Sequence, residues 1–301
     1  MPSGLQTTNA SGFLSAEPIE RGVKFKADDG FPLTGTLFEN QQETPAKPLV
    51  LISSAAAVPR GFYSHFARFL IKLGCRGVFT YDYRGLPGSP EPAKWASRIN
   101  MIDWGQLDFP AAMKTLDAVD PGHPMVGIGH SYGGQALGIS GCSSRFARYA
   151  AVATLSGYWR NTGEPWSVLF KMNGIGVPAT WLFGKTPAWL GTGEPMPGPV
   201  FRDWARWCRS PRYFFDDAAL KLPERFSAVE TPILSLGFAD DVWGTPKANA
   251  GLMDYYDRAP VEQLWLGPED ADGAQIGHLG FFRRRFADTL WPRLTDWLLD
   301  G

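Results

Sequence analysis

The sequence predicts an α/β fold, a doubly wound and mostly parallel sheet with helices on both faces. Three observations carry this. Short apolar runs of strand length recur along the chain, as in Pro48-Leu49-Val50-Leu51-Ile52 and Gly77-Val78-Phe79-Thr80-Tyr81. Unbroken apolar runs of this length suit strands buried on both faces, the condition of a parallel sheet. Segments of helical period separate them. A glycine-flanked turn, Gly129-His130-Ser131-Tyr132-Gly133, stands between one such run and a helix-compatible stretch of small residues.

In order, residues 1–20 are polar and small, and a loose tail is expected. Alternation over Val23–Ala27, the turn signal Asp28-Asp29-Gly30 and a second run over Leu33–Phe38 predict an antiparallel hairpin at a sheet edge. After the Leu49–Ile52 strand, Phe62, Phe66, Phe69, Leu70 and Leu73 mark one helical face, which Gly74 ends. Gly77–Tyr81 is the next strand, Trp104–Val119 the next helix, and Met125–Gly129 the strand entering the turn. Ala150–Leu155 follows as another strand.

The rhythm then breaks. Residues 158–230 carry no clean strand signal and hold six of the twelve tryptophans: Trp159, Trp166, Trp181, Trp189, Trp204 and Trp207. An inserted helical cap is expected here, over the carboxyl ends of the strands, where open α/β sheets bind ligands. The core then comprises residues 21–157 and 231–301. Its second part holds strands at Pro232–Gly237 and Gln263–Leu266, a helix near Lys247–Tyr256, and a last helix over Arg283–Leu299. Within that helix Pro292 marks a kink or a fresh first turn.

Composition narrows the function. The 301 residues carry a net charge of −1 with acids and bases interspersed, so neither nucleic acid nor an anionic membrane is expected as partner. No apolar run reaches membrane-spanning length, and residues 1–20 lack the pattern of a secretory signal. Three dispersed cysteines, Cys75, Cys142 and Cys208, suit a reducing cytoplasm, the expected location. With four histidines and no paired ligand spacing, no metal and no cofactor is expected.

The chemistry centres on Ser131. Read as strand, sharp turn and helix, its surroundings form a nucleophile elbow, and the helix that starts there points free N–H groups at a reacting carbonyl oxygen. A serine hydroxyl needs a base, and the base needs an orienting group. In this architecture they follow the nucleophile in the order acid, then histidine. Of His65, His123, His130 and His278, only His278 lies beyond the elbow, in the loop Ile276-Gly277-His278-Leu279-Gly280. Two neighbours, Asp240 and Asp241, follow the Pro232–Gly237 strand. The spacing from Gly237 favours Asp240, with Asp241 as its rival. The oxyanion donors are expected at the Tyr132 backbone and in the loop Ser53–Val58, at Ala56 or alternatively Ala55. Asp82 and Arg84, two apart on the turn after Tyr81, are expected to pair with each other and pin that loop.

These motifs resemble the α/β-hydrolase superfamily from about Val23 onward. The matching pieces are Tyr81-Asp82-Tyr83-Arg84-Gly85, Gly129-His130-Ser131-Tyr132-Gly133, Gly237 with Asp240, and Gly277-His278. The longer strings Gly129–Gln135 and Gly277–Arg283 resemble a bacterial serine aminopeptidase-like, or predicted serine hydrolase, branch. The resemblance implies an eight-stranded, mostly parallel sheet and a Ser131–His278–Asp240 triad. The chain departs from many relatives where Ser54-Ala55 stands in place of His-Gly. In Gly85–Ser89 the second glycine also stands one place later than in the common loop, so no role is assigned to Ser89.

The expected activity is hydrolysis of an ester, with thioester or amide as variants, through an acyl-enzyme on Ser131. The substrate is expected to be a small molecule with an apolar acyl or alcohol group. An acyltransferase using the same triad and a non-catalytic ligand-binding protein are the alternatives.

Overall fold

A computed structural model describes residues 18–40, 47–95, 98–191 and 193–300. Most of the expected N-terminal tail, residues 1–17, lies outside the described residues. One eight-stranded sheet organises the chain: β1 (Ile19–Lys26), β2 (Pro32–Glu39), β3 (Lys47–Ser53), β4 (Cys75–Asp82), β5 (Met125–His130), β6 (Tyr149–Val152), β7 (Ile233–Phe238) and β8 (Val261–Leu266). The spatial order is β1-β2-β4-β3-β5-β6-β7-β8. β1 pairs antiparallel with β2, and β2 with β4; every other pairing is parallel. The edge hairpin turns at Asp28-Asp29-Gly30, with Gly30 at φ +83°. Its first strand begins at Ile19, so the expected tail boundary at residue 20 is too late by two residues.

The apolar runs divide between two cores. In β3, Leu49 and Leu51 face one cluster with Phe109, Ala112, Leu137 and Tyr149. Val50 and Ile52 face the other, with Phe66, Leu70, Phe282 and Leu294. This two-sided burial is why β3 shows no polar alternation. The helix Ser64–Lys72 buries Phe66, Ala67, Leu70 and Ile71, while Phe62 falls in the helical turn Arg60–Tyr63 that precedes it. The expected helix Arg283–Leu299 is broken. A single turn over Arg284–Phe286 precedes a helix Trp291–Asp300, and Pro292 sits in its first turn, where the missing N–H has no intrahelical acceptor to lose.

The topology locates a crevice. The chain passes from β3 outward to β4, then crosses back to β5 on the other side of β3. Connections leaving β3 and β5 therefore diverge, and the gap at their carboxyl ends is where open α/β sheets hold ligands. Between β6 and β7, residues 153–232 form an excursion of short helices, among them Pro165–Leu169, Val177–Phe183 and Gly198–Cys208. Among its described residues it contributes no strand to the sheet.

Candidate active site

Ser131 stands at the end of β5, at φ +52° and ψ −108°, a backbone conformation that costs about 1–3 kcal/mol for a residue with a Cβ. Two bonds hold it: its N–H donates to the Val152 carbonyl (2.8 Å), and its carbonyl accepts from the Gly134 N–H (3.1 Å). The flanking glycines are sterically required. A Cβ on Gly129 would overlap the Gly133 backbone, and one on Gly133 would overlap the Ser53 carbonyl. The helix Tyr132–Ser140 begins directly after the serine.

His278 Nε2 lies 3.0 Å from Ser131 Oγ, and its Nδ1 lies 2.7 Å from Asp241 Oδ2. Asp240, favoured by the spacing, does not touch the imidazole. Its two oxygens accept the N–H groups of Ile276 (2.8 Å) and Gly277 (2.9 Å). The reason is the length of β7. The strand runs one residue past Gly237, to Phe238. A turn closed by the Asp241 N–H on the Phe238 carbonyl (3.1 Å) then brings Asp241 back over the sheet. Both carboxylates thus grip the His278 segment, one through the ring and one through the backbone. His278 sits in a helical turn, Gly277–Gly280, rather than an open loop, and Gly277 enters it at φ +57°.

The turn after β3 faces the same crevice. Ala55–Val58 closes through the Val58 N–H on the Ala55 carbonyl (3.2 Å), with Ala57 at φ +59°. The Ala55 N–H is engaged, donating to Tyr63 Oη (2.9 Å). Among the described residues nothing accepts from the Ala56 N–H. The Tyr132 N–H, at the first helical position, has no intrahelical acceptor.

Two features lay beyond the reach of sequence reasoning. His130 is fully buried, with Nδ1 2.9 Å from Tyr63 Oη and Nε2 2.8 Å from the His278 carbonyl. A carbonyl only accepts, so Nε2 carries the proton and Tyr63 donates to Nδ1. One chain of bonds therefore runs from the Ala55 N–H through Tyr63 and His130 to the His278 backbone. Asp82 and Arg84, expected to pair with each other, do not. Asp82 holds the Arg60 N–H (2.8 Å) and guanidinium, anchoring the far end of the β3 turn. Arg84 binds Asp108 and Asp29, each at 2.7 Å. Ser89 has a structural place, donating to the Asp82 carbonyl and accepting from the Thr34 N–H, both at 2.9 Å.

A model of the alpha/beta hydrolase family matches residues 49–297. The chain belongs to that family. Several hydrolase structures share its fold at low identity. The esterase of Pyrococcus furiosus superposes with a TM-score of 0.58 at 16% identity, over 94% of this chain and 92% of that one. The esterase domain of a Rhodothermus marinus protein gives 0.58 at 16%, over 93% and 97%. The acylaminoacyl peptidase of Pyrococcus horikoshii gives 0.57 at 13%, over 94% of this chain and 41% of that one. Among curated proteins, none matches the chain.

In this family member the acid beside His278 is tuned by opposing effects. Burial works to raise the Asp241 pKa. The hydrogen bond and charge of His278, with the Gly244 and Trp243 N–H groups, outweigh it and leave the carboxyl below its ordinary value. For His130, burial and the neighbouring His278 push the pKa down to about 3, so the ring is neutral. Ser131, His278, Tyr132 and Ala56 open onto a cavity of about 240 Å³. Of the six tryptophans in residues 158–230, only Trp204 lines it, joined by Trp243 from beyond β7. Trp159 and Trp207 are buried elsewhere, and Trp166, Trp181 and Trp189 are exposed. Among the described residues no cluster of three His, Cys, Asp or Glu side chains could hold a metal ion, and no helix is long and apolar enough to cross a membrane.

Proposed function

We propose that this hydrolase cleaves a carboxylic ester of a small molecule through an acyl-enzyme on Ser131. The observation that carries the reading is the continuous Asp241–His278–Ser131 arrangement, with bonds of 2.7 and 3.0 Å. In this mechanism His278 Nε2 takes the Ser131 proton as Oγ attacks the ester carbonyl. The tetrahedral oxyanion is held by the Tyr132 and Ala56 N–H groups. His278 then gives the proton to the departing alcohol. Water, deprotonated by the same nitrogen, releases the acid and restores the serine. Asp241 holds the tautomer and stabilises the imidazolium without taking a proton.

The excursion between β6 and β7 serves as a cap. The cavity walls support this, because Lys171, Met172, Leu190, Trp204 and Tyr213 all come from it. Met172, Leu190 and the two tryptophans favour an apolar acyl or alcohol group.

Intact-protein mass spectrometry after a fluorophosphonate probe tests the reading. The expected result is a single adduct on the wild type, absent in Ser131→Ala and formed far more slowly in His278→Ala. An unlabelled wild-type protein that also leaves p-nitrophenyl esters of two to ten carbons intact would overturn it.

A further inference from the structure

The exposed apolar surface is concentrated in one place. Among the described residues ten large apolar side chains are exposed, and six of them fall between residues 166 and 189. They are Trp166, Phe170, Trp181, Leu182, Phe183 and Trp189, each 61% to 78% exposed. Scattered single exposures are ordinary, whereas a concentration of this kind marks a contact surface.

The helix that carries most of them has two apolar faces. Pro165–Leu169 and Val177–Phe183 are joined through Phe170–Gly176, and the backbone stays helical across both joints. One row at every fourth position, Val168, Met172, Gly176 and Thr180, is buried. The opposite row, Trp166, Phe170, Gly174, Pro178 and Leu182, is exposed. On a helix that faces water this outer row would be polar. The exposed face borders the cavity that holds Ser131. Phe170 points outward, while the next residues, Lys171 and Met172, line the cavity. Trp189 points outward in the same way, while Leu190 and Gly191 line it.

Charge identifies what the face meets. From residue 165 to 193 the sequence holds two lysines, Lys171 and Lys185, and no acid; Glu164 and Glu194 stand at its two ends. Two arginines edge the aromatic rings. Arg202 lies 3.9 Å from the centre of the Trp181 ring. Arg160 lies 4.9 Å from that of Trp159, which packs on Trp166. Among the described residues none of these four cations is paired with a carboxylate, whereas Arg206 and Arg212 of the same excursion are. Tryptophan, phenylalanine and leucine edged by free cations is the composition of helices that lie in the headgroup layer of a bilayer. A second copy seated by a two-fold axis would instead set the same cations on both sides of the contact.

We infer that the outer face of residues 165–189 docks on a phospholipid surface, its cations meeting anionic headgroups and its apolar row entering the acyl boundary, with the cavity mouth held beside the lipid. The net charge of −1 over the whole chain hides this local excess. The helix lies along the surface, since among the described residues no helix is long and apolar enough to cross a membrane. The inference goes beyond the ester-hydrolase reading and stands without it, because docking needs no turnover.

Vesicle flotation of the full chain tests it. The wild type is expected to float with vesicles of phosphatidylcholine and phosphatidylglycerol in equal parts, and more weakly with phosphatidylcholine alone. Phe170→Ser combined with Leu182→Ser changes two exposed positions outside the cavity lining. The pair is expected to cut binding at least about tenfold, at an unchanged unfolding temperature. Ser131→Ala is expected to float like the wild type, so a failure of the hydrolase reading leaves the docking intact. A wild type that stays with free protein at both compositions, or floats equally with the two, overturns the inference. So does a double variant that floats as well as the wild type. Analytical ultracentrifugation without lipid reads the other occupant: a wild-type dimer that the double variant converts to a monomer would give the face to a second copy and overturn the docking.

Discussion

Asp241 Oδ2 sits 2.7 Å from His278 Nδ1, while the adjacent Asp240 faces away from the ring and holds the Ile276 and Gly277 amides. The two neighbours therefore separate orientation of the His278 ring from support of its backbone. Asp241→Asn presents the imidazole with an amide in place of a charged acceptor, which permits the wrong tautomer. It is expected to lower kcat about 10⁴-fold. Asp240→Asn retains one acceptor oxygen for two N–H groups. It is expected to lower the unfolding temperature and to cost far less in kcat. Steady-state kinetics on p-nitrophenyl butyrate beside thermal unfolding decides, and a larger kcat loss in Asp240→Asn would reverse the assignment.

The turn after β3 allows a clean test of Ala56 as the proposed second oxyanion donor. Ala56 occupies the first central position of the Ala55–Val58 turn, and Ala57 follows at positive φ. That is the pattern of a type II turn, whose first central position accepts proline readily. Ala56→Pro removes the N–H and keeps the turn. A fall in kcat of about 10²–10³-fold is expected, at near-normal stability. Unchanged turnover in a folded Ala56→Pro protein would exclude this donor.

Tyr63 ties that turn, through His130, to the His278 backbone. Its hydroxyl accepts from the Ala55 N–H and donates to His130 Nδ1. Tyr63→Phe strands both groups in a fully buried site, and a stability loss of about 1–3 kcal/mol is expected in urea titration. Because the Ala55–Val58 turn and the His278 backbone both lose their tether, kcat is expected to fall while KM holds. A variant with native stability and kcat would show the chain of bonds to be dispensable.

The strands, the elbow and His278 were legible because each follows from local chemistry: an apolar run, a glycine pair around a serine, one histidine in the right order. Asp241 was not, because a single residue of strand length decides which aspartate returns over the sheet, and strand ends are set by pairing with β8 rather than by the residues of β7. The partners of Asp82 and Arg84 were equally hidden. Arg60, Asp108 and Asp29 reach them from distant segments, and spacing along the chain carries no trace of such meetings. Tryptophan content misled in a different way. Three of the six tryptophans in residues 158–230 point outward, and composition does not say which face of a helix a ring occupies.

His130 makes stability depend on pH over a window of its own. Burial first, then the adjacent His278, lowers its pKa from 6.5 to about 3. Between those values the unfolded chain binds a proton that the folded chain does not. Stability therefore falls as pH drops below about 6.5, at the slope of one proton, about 1.4 kcal/mol per pH unit. Above pH 6.5 both states are neutral there and the dependence ends. Asp241, whose pKa lies below 3.8 in the folded protein, contributes stability that is fully present above about pH 3.8, so over the range pH 4.5–7.5 its contribution is constant. Urea titrations of the wild type and His130→Gln at steps from pH 4.5 to 7.5 check this. The difference in unfolding free energy between the two proteins should shift steadily against the wild type as the pH falls from 6.5 to 4.5. Parallel profiles over that range would place the titrating group elsewhere.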